Sequence, residues 1–216
     1  MQVVMLGLPG AGKGTQAARI SEDFRIPHIS TGDMFRAAIA AMTPLGQEVK
    51  SFLDSGRLVP DDLTIRVVAD RLNQPDAENG FLLDGFPRTL PQATALETSL
   101  AELGKPLDHA LYIHVPRDIL LARLTGRRIC KVCGATYHVV YHPPIKEGAC
   151  DKCEGPLYQR SDDTEAAVMT RLEQYAQTAP LVEFYRERNV LHQIDGQQDI
   201  DEVYRDIRAV LLATST

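Results

Sequence analysis

No apolar run in this sequence approaches the ~18 residues that a membrane-crossing helix needs, which excludes a helical membrane protein. Positive charge is in deficit: 23 lysines and arginines face 29 aspartates and glutamates, a net charge of −6. Aromatic residues make up only 6% of the chain and none is tryptophan. No basic, aromatic-interleaved face can be drawn of the kind that tracks a nucleic-acid strand, so nonspecific nucleic-acid binding is disfavoured. A basic n-region followed by a separate apolar h-region is also lacking, and a cytosolic location is the expectation. Cysteine is scarce and confined: all four lie between Cys130 and Cys153, which points to one site and not to a scattered disulfide framework. Internal repeats and low-complexity tracts are absent.

What the sequence does contain is a glycine-rich turn carrying a lysine, Gly7-Leu8-Pro9-Gly10-Ala11-Gly12-Lys13-Gly14-Thr15. It follows the apolar run Val3-Val4-Met5-Leu6 and leads into Gln16-Ala17-Ala18-Arg19-Ile20-Ser21, good helix material. Strand, glycine-rich turn and helix together form the context of a phosphate-cradling loop. Glycine permits backbone shapes in which successive N–H groups point at one anion. The helix N-terminus adds about half a positive charge, and Lys13 adds a full one. The spacing from Gly7 to Gly12-Lys13 fits the Walker pattern. Gly14, however, stands where a serine or threonine usually ligates Mg²⁺.

Further along, strand signals at 26–30, 81–84, 110–115 and 190–194 alternate with helical ones. The helices are expected over 34–41, 45–53, from Pro60 through Leu72, 90–103, 117–124 and 199–212. Another is expected over 164–188, interrupted at Pro180. This alternation predicts an α/β fold with a doubly wound parallel sheet. The glycine-rich loop, Thr31, Asp84 and Gly85 all fall just after strands, so they should share the crevice at the strands' carboxyl ends.

The stretch from Arg127 to about Asp163 has a different character. Cys130-Lys131-Val132-Cys133 and Cys150-Asp151-Lys152-Cys153 are separated by sixteen residues. Two C-x₂-C knuckles at this distance are a zinc-ribbon signal. Four thiolates would close a tetrahedral site and leave no open position, so the metal is expected to be structural. A pair of disulfides is the alternative. His138 and His142 lie nearby, but four cysteines already complete the ligand set.

Four motifs occur in order: Gly7–Thr15, Ser30-Thr31-Gly32-Asp33-Met34, Asp84-Gly85-Phe86-Pro87-Arg88 and Thr125-Gly126-Arg127-Arg128. Together they resemble the adenylate kinases over nearly the whole chain. The zinc knuckles resemble the zinc-bearing, long-lid members, whereas many members have a metal-free lid. The resemblance implies a sheet of P-loop kinase type formed by residues 1–29, 60–125 and 164–216. It also implies a nucleoside-monophosphate-binding insert at 30–59 and a lid at 126–163. The implied reaction is MgATP + AMP ⇌ MgADP + ADP.

For ATP the resemblance implies contacts from Gly10, Ala11, Gly12, Lys13, Gly14, Thr15, Arg123, Arg127, Thr136 and Tyr137. Gln198 joins them largely through its backbone. For AMP it implies Thr31, Arg36, Arg57, Leu58, Val59, Gly85, Phe86, Pro87, Arg88, Gln92, Arg160 and Arg171. Lys13, Arg88, Arg123, Arg127, Arg160 and Arg171 take the catalytic roles, and Asp84 holds Mg²⁺ through water. Arg128 is expected to be structural.

The chemistry explains why such residues are needed. Phosphoryl transfer asks a protein mainly to position two anions and to neutralise spreading charge, which suits bidentate, permanently charged guanidiniums. Gln92 could read adenine because a carboxamide donates and accepts at once. A lid hinged near Gly126 would keep water from the transferring group. Asp33 is expected to cap or order the helix after Thr31 and not to touch metal, and Asp84 has capping of the next turn as its alternative. A kinase for another nucleoside monophosphate remains the rival reading of the whole chain. A zinc-ribbon nucleic-acid motor is disfavoured by the acidic balance. A monomer acting on free nucleotides, without nucleic acid or membrane, is expected.

Overall fold

A computed structural model describes residues 1–175 and 179–213. The central strand is β1 (Gln2–Leu6). It pairs in parallel with β3 (Phe81–Asp84) on one side and β4 (His109–His114) on the other. β2 (His28–Ser30) extends the sheet beyond β3, and β8 (Leu191–Asp195) extends it beyond β4. The order β2-β3-β1-β4-β8 reverses direction at β1, and the crevice at such a switch point is where open α/β sheets bind ligands.

Val3 and Met5 pack into one apolar cluster with Ile20, Leu111 and Ile207, while Val4 and Leu6 pack into another with Leu83, Leu96 and Leu181. Successive residues of a strand point to opposite faces. An unbroken apolar run is therefore what a strand with helices on both faces requires. α1 (Lys13–Phe24), α6 (Arg117–Thr125), α7 (Glu165–Gln174) and α9 (Ile200–Ala213) supply the first cluster. α4 (Asp61–Leu72), α5 (Leu90–Glu102) and α8 (Ala179–Glu187) supply the second. Among the described residues no helix is long and apolar enough to cross a membrane.

β2 is only three residues long, two shorter than its apolar signal, because it begins after Pro27, which lacks the N–H that a ladder needs. The expected helix over 164–188 is two helices, and Pro180 lies in the first turn of the second, where proline is tolerated. Residues 176–178, which fall inside that expected helix, lie outside the described residues, as do 214–216.

Two smaller units stand apart from the sheet. α2 (Thr31–Ala40) and α3 (Pro44–Asp54) enclose a separate apolar cluster of Phe35, Val49, Val59 and Leu63. α2 is capped by Ser30, whose Oγ accepts from the Asp33 N–H. Of the two expected roles of Asp33, capping falls to Ser30, while Asp33 lies in the first turn and pairs with Arg36 one turn on in the same helix. The cysteine-bearing stretch forms an antiparallel sheet, with β5 (Arg127–Cys130) between β6 (Thr136–His138) and β7 (Leu157–Tyr158).

α2 and α3 approach so closely that a Cβ at Gly46 would collide with the Ala38 carbonyl. Gly46→Ala should therefore cost about 1–3 kcal/mol of stability, as overpacking does. Thermal and urea denaturation would measure this, and an unchanged midpoint would contradict the packing.

Candidate active site

A cavity of about 1200 Å³ opens over the carboxyl ends of β1, β2 and β3. One small-molecule site usually occupies about 300–1,000 Å³, so this space exceeds what a single nucleotide needs. Residues Gly10 to Thr15 line it, together with Thr31, Arg36, Arg57, Leu58, Val59, Asp84, Gly85, Pro87, Arg88 and Gln92. Arg123, Arg127, Thr136, Tyr137, Arg160, Arg171 and Gln198 complete the expected set on its wall. Phe86 is the exception among the expected nucleotide contacts. Its side chain is 1% exposed and packs in the core, so only its backbone is available nearby.

The glycine-rich loop has the shape its sequence demands. Gly10 and Gly12 take φ of 84° and 95°, left-handed values that favour glycine. Gly12 is the N-cap of α1 and offers no side-chain acceptor, so the first-turn N–H groups are left to an anion. Lys13 Nζ donates to the Gly7 carbonyl at 2.7 Å and the Leu8 carbonyl at 3.1 Å. Burial lowers its pKa to about 8; Asp84 opposes that shift, and Arg88, Arg171 and Arg127 add to it. The Gly7 N–H donates to the Tyr175 hydroxyl at 2.8 Å, which ties the loop to the end of α7. No motif marks Tyr175, and only its burial in the folded chain reveals this role.

The arginines are matched by acids that sequence reasoning passed over. Arg127 donates through Nε and Nη2 to both oxygens of Asp163, which is fully buried. Arg171 Nη1 reaches Asp163 Oδ1 at 3.2 Å and Asp162 Oδ2 at 3.1 Å. Burial pulls the Arg171 pKa down to about 10 even with Asp162 opposing it. Arg36 Nη2 donates to Asp33 Oδ1 at 2.6 Å, and Arg160 Nη2 lies 3.3 Å from the same oxygen. Arg88 Nε donates to the Gly85 carbonyl at 2.8 Å, and Arg123 Nη1 to the Gly196 carbonyl at 3.0 Å. Arg57 lies over the Phe52 ring. The Gln174 side chain accepts from the Leu58 N–H at 2.6 Å, tying the end of the 31–59 segment to α7.

Asp84 lies at the end of β3, beside Gly14. Burial alone would raise its pKa, but His28 and Lys13 outweigh burial and hold it below the usual carboxylate value. His28 Nε2 approaches Asp84 Oδ2 at 3.4 Å without forming a well-aligned hydrogen bond. The next helix, α5, is capped by Thr89. A Cβ at Gly14 would come no closer to Asp84 than 3.8 Å, so the loop is open beside the carboxylate. A hydrated Mg²⁺ suits such a single carboxylate. Gln198 Nε2 donates to Asp206 and to the Asp195 carbonyl, so its side chain is already engaged.

Gly126 ends α6 at an ordinary negative φ. A Cβ there would strike the His138 ring. Close packing, not torsional freedom, is therefore the reason for glycine at this expected hinge.

The four cysteine sulfurs all lie within 4.8 Å of one another. Cys130 Sγ and Cys153 Sγ are 3.5 Å apart, as are Cys133 Sγ and Cys150 Sγ. Zn–S bonds of about 2.3 Å in a tetrahedron place sulfurs about 3.8 Å apart, so the arrangement fits one structural zinc. It does not fit disulfides, whose sulfurs are about 2.05 Å apart. The Tyr137 hydroxyl accepts from the Asp151 N–H at 2.7 Å and donates to Cys150 Sγ at 3.3 Å, which lowers the pKa of that thiol. Tyr137 is 4% exposed and stacks on His142, so its hydroxyl serves the cysteine cluster and little of the ring is left for a nucleotide.

A glycine-rich loop between strand and helix at a switch point, with a lysine and a ring of arginines turned into one cavity, defines a P-loop phosphotransferase of the nucleoside monophosphate kinase class. The family model described as adenylate kinase matches residues 5–190. Adenylate kinase of Bacillus licheniformis is 61% identical over 212 residues, covering 98% of each chain. Those of Geobacillus sp. strain WCH70 and Bacillus subtilis strain 168 are 59% and 58% identical over the same length, again covering 98% of each chain. The chain belongs to the adenylate kinase family. Nothing in these similarities favours a kinase for another nucleoside monophosphate.

A polyphosphate bound at the loop should push the Lys13 pKa back up from about 8. Nucleotide binding at pH 8 should then take up protons, and affinity should weaken as pH rises above that value. At pH 6.5 Lys13 is already charged and its contribution to proton uptake should vanish. Calorimetry in buffers of different ionisation enthalpy measures this, and a binding enthalpy independent of buffer at pH 8 would contradict it.

Proposed function

We propose that the cavity holds ATP and AMP end to end and transfers the γ-phosphoryl group between them, ATP + AMP ⇌ 2 ADP. The observation that carries this reading is one large cavity. It joins the glycine-rich loop to the 31–59 segment and is ringed by Lys13, Arg36, Arg88, Arg123, Arg127, Arg160 and Arg171.

The ATP phosphates lie on the loop N–H groups from Gly10 to Thr15, with Lys13 released from its own loop carbonyls onto the outer phosphates. Arg36 and Arg88 hold the AMP phosphate. Arg123, Arg127, Arg160 and Arg171 surround the transferring group, where charge spreads over its equatorial oxygens. Thr31, Arg57, Leu58, Val59, Gly85, Pro87 and the Phe86 backbone shape the AMP pocket, and Gln92 reads its base. Thr136, Tyr137 and Gln198 flank the ATP base largely through their backbones. Mg²⁺ bound with ATP supplies further neutralisation of phosphate charge, and Asp84 beside Gly14 would hold it through water.

Residues 30–59 and 126–163 act as two flaps on the unit formed by 1–29, 60–125 and 164–216. Closing them brings Arg127 and Arg160 onto the nucleotides and excludes water that would otherwise be phosphorylated. Zinc in the four-cysteine site holds the second flap together. Thiols free of disulfides suit a reducing cytoplasm. One chain supplies both nucleotide sites, so a monomer is sufficient.

A coupled assay across AMP, GMP, CMP and UMP tests the reaction. AMP should be the preferred acceptor, and preference for UMP would overturn the assignment. Lys13→Ala should lower turnover by several orders of magnitude with an unchanged melting curve, whereas near-normal turnover would refute the cradle role.

Chelating the metal, or Cys130→Ser, should lower the melting temperature before it lowers activity at low temperature. Loss of activity with no change in stability would make the metal catalytic instead.

A further inference from the structure

Asp61 occupies the first turn of α4, where an acidic residue ordinarily serves the helix dipole. Its neighbour Asp62 is exposed and can do that work alone. The Asp61 carboxylate turns instead to the start of α5. Oδ2 accepts from the Thr89 hydroxyl at 2.9 Å, and Oδ1 accepts from Gln92 Nε2 at 2.7 Å. Gln92 Oε1 in turn accepts from the Arg88 N–H at 2.8 Å. Gln92 is 2% exposed and lines the cavity, but Asp61 does not reach the cavity.

The direction of this network is fixed by chemistry. An ionised carboxylate can only accept, and a backbone N–H can only donate. The Gln92 carboxamide is therefore held from both ends, nitrogen toward Asp61 and oxygen toward Arg88. These bonds use one of its two N–H groups and one of its two oxygen lone pairs, leaving one donor and one acceptor for a ligand.

A carboxamide free to turn by 180° would read two kinds of purine equally well. A 6-aminopurine offers a donor at its 6-substituent and an acceptor at N1. A 6-oxopurine offers an acceptor at the 6-position and a donor at N1. In a fixed base seat the first needs the amide oxygen opposite the 6-substituent, and the second needs the amide nitrogen there.

We propose that Asp61 is a specificity-positioning residue. Together with the Arg88 N–H it holds the Gln92 carboxamide in one orientation, and so lets the pocket accept a 6-aminopurine monophosphate and reject 6-oxopurine monophosphates. This deepens the reading of Gln92 as the base contact and rests on it. A 6-oxopurine in the same seat would face donor with donor and acceptor with acceptor, and unpaired buried polar groups discriminate strongly.

Asp61→Asn tests it, because the introduced carboxamide can turn an NH₂ toward Gln92, which removes the acceptor that favours the present orientation and leaves the Arg88 N–H alone against the flip. The ratio of kcat/KM for AMP to that for IMP should fall about tenfold or more. The gain should appear with IMP and the loss in the KM for AMP, with the KM for ATP unchanged. Gln92→Ala, measured alongside, separates the two levels of argument. If Gln92→Ala abolishes the discrimination and Asp61→Asn keeps it within twofold of the wild type, Asp61 does not position the reader. If Gln92→Ala also keeps it, Gln92 is not the base contact and the proposal falls with that reading.

A measurement on the wild-type protein needs no variant to fold. The Gln92 side-chain NH₂ in the nucleotide-free enzyme should show ¹⁵N relaxation as rigid as the surrounding backbone. A rapidly reorienting amide would overturn the lock.

Discussion

Lys13, Arg88 and Arg171 are taken out of water beside one another, and burial lowers the pKa of each. Like charges stripped of hydration repel and seek any acceptor, and the surroundings of the cavity are arranged to meet that demand. Lys13 rests on two carbonyls of its own loop. Arg127 and Arg171 share the buried Asp163, and Arg36 and Arg160 converge on one oxygen of Asp33. A polyanion entering the cavity finds these cations already gathered.

The same demand explains which parts of the site could be read from the sequence. The glycine-rich loop and the cysteine knuckles are local devices whose function lies in their spacing, so the order of residues alone displays them. The alternation of strand and helix was legible because β1 is buried on both faces and must therefore be a continuous apolar run. The residues that hold the site in shape act over long separations. Tyr175 reaches Gly7 across 168 positions, Gln174 reaches Leu58 across 116, and Asp61 reaches Gln92 across 31. Each is an ordinary polar residue in or beside an ordinary helix, and nothing in its neighbourhood along the chain announces the partner. Which of two roles Asp33 takes is hidden for a related reason. A carboxylate at the start of a helix is a reasonable cap, but Ser30 already fills that place and two guanidiniums compete for the acid.

The connection to the cysteine-bearing stretch is tied by side chains at its two crossing points. The chain enters that stretch after Thr125 and leaves it before Thr164. Gln159 Nε2 donates to the Thr125 carbonyl and the Asp163 carbonyl, each at 3.1 Å, so a single amide clasps the two crossing points. His138 packs over Gly126, accepts at Nδ1 from the Val140 and Tyr141 N–H groups, and so must present Nε2–H to the Ala122 carbonyl. Side chains and small-residue packing hold the junction, and among the described residues the apolar cluster of the cysteine-bearing stretch stays separate from those of the sheet. Such contacts can re-form at a new angle more readily than an interdigitated core can slide.

The apolar content of the cysteine-bearing stretch sharpens that point. Its buried apolar set is Cys130, Tyr137 and Cys150, with Ala135 and Leu157 partly buried around them. A cluster of this size falls far short of what an independent unit needs to offset chain entropy. Two of the three buried members are thiols of the four-sulfur site, so the apolar core and the metal site share the same atoms. A metal bound there would act in place of a larger core, since its binding energy becomes folding energy. The rigidity of the stretch would then come from the four-sulfur site, whereas Gly126 and Gln159 form the junction. That division would let one segment be stiff within itself while its attachment to the sheet stays soft, as the proposed water-excluding cover over two repelling polyphosphates requires.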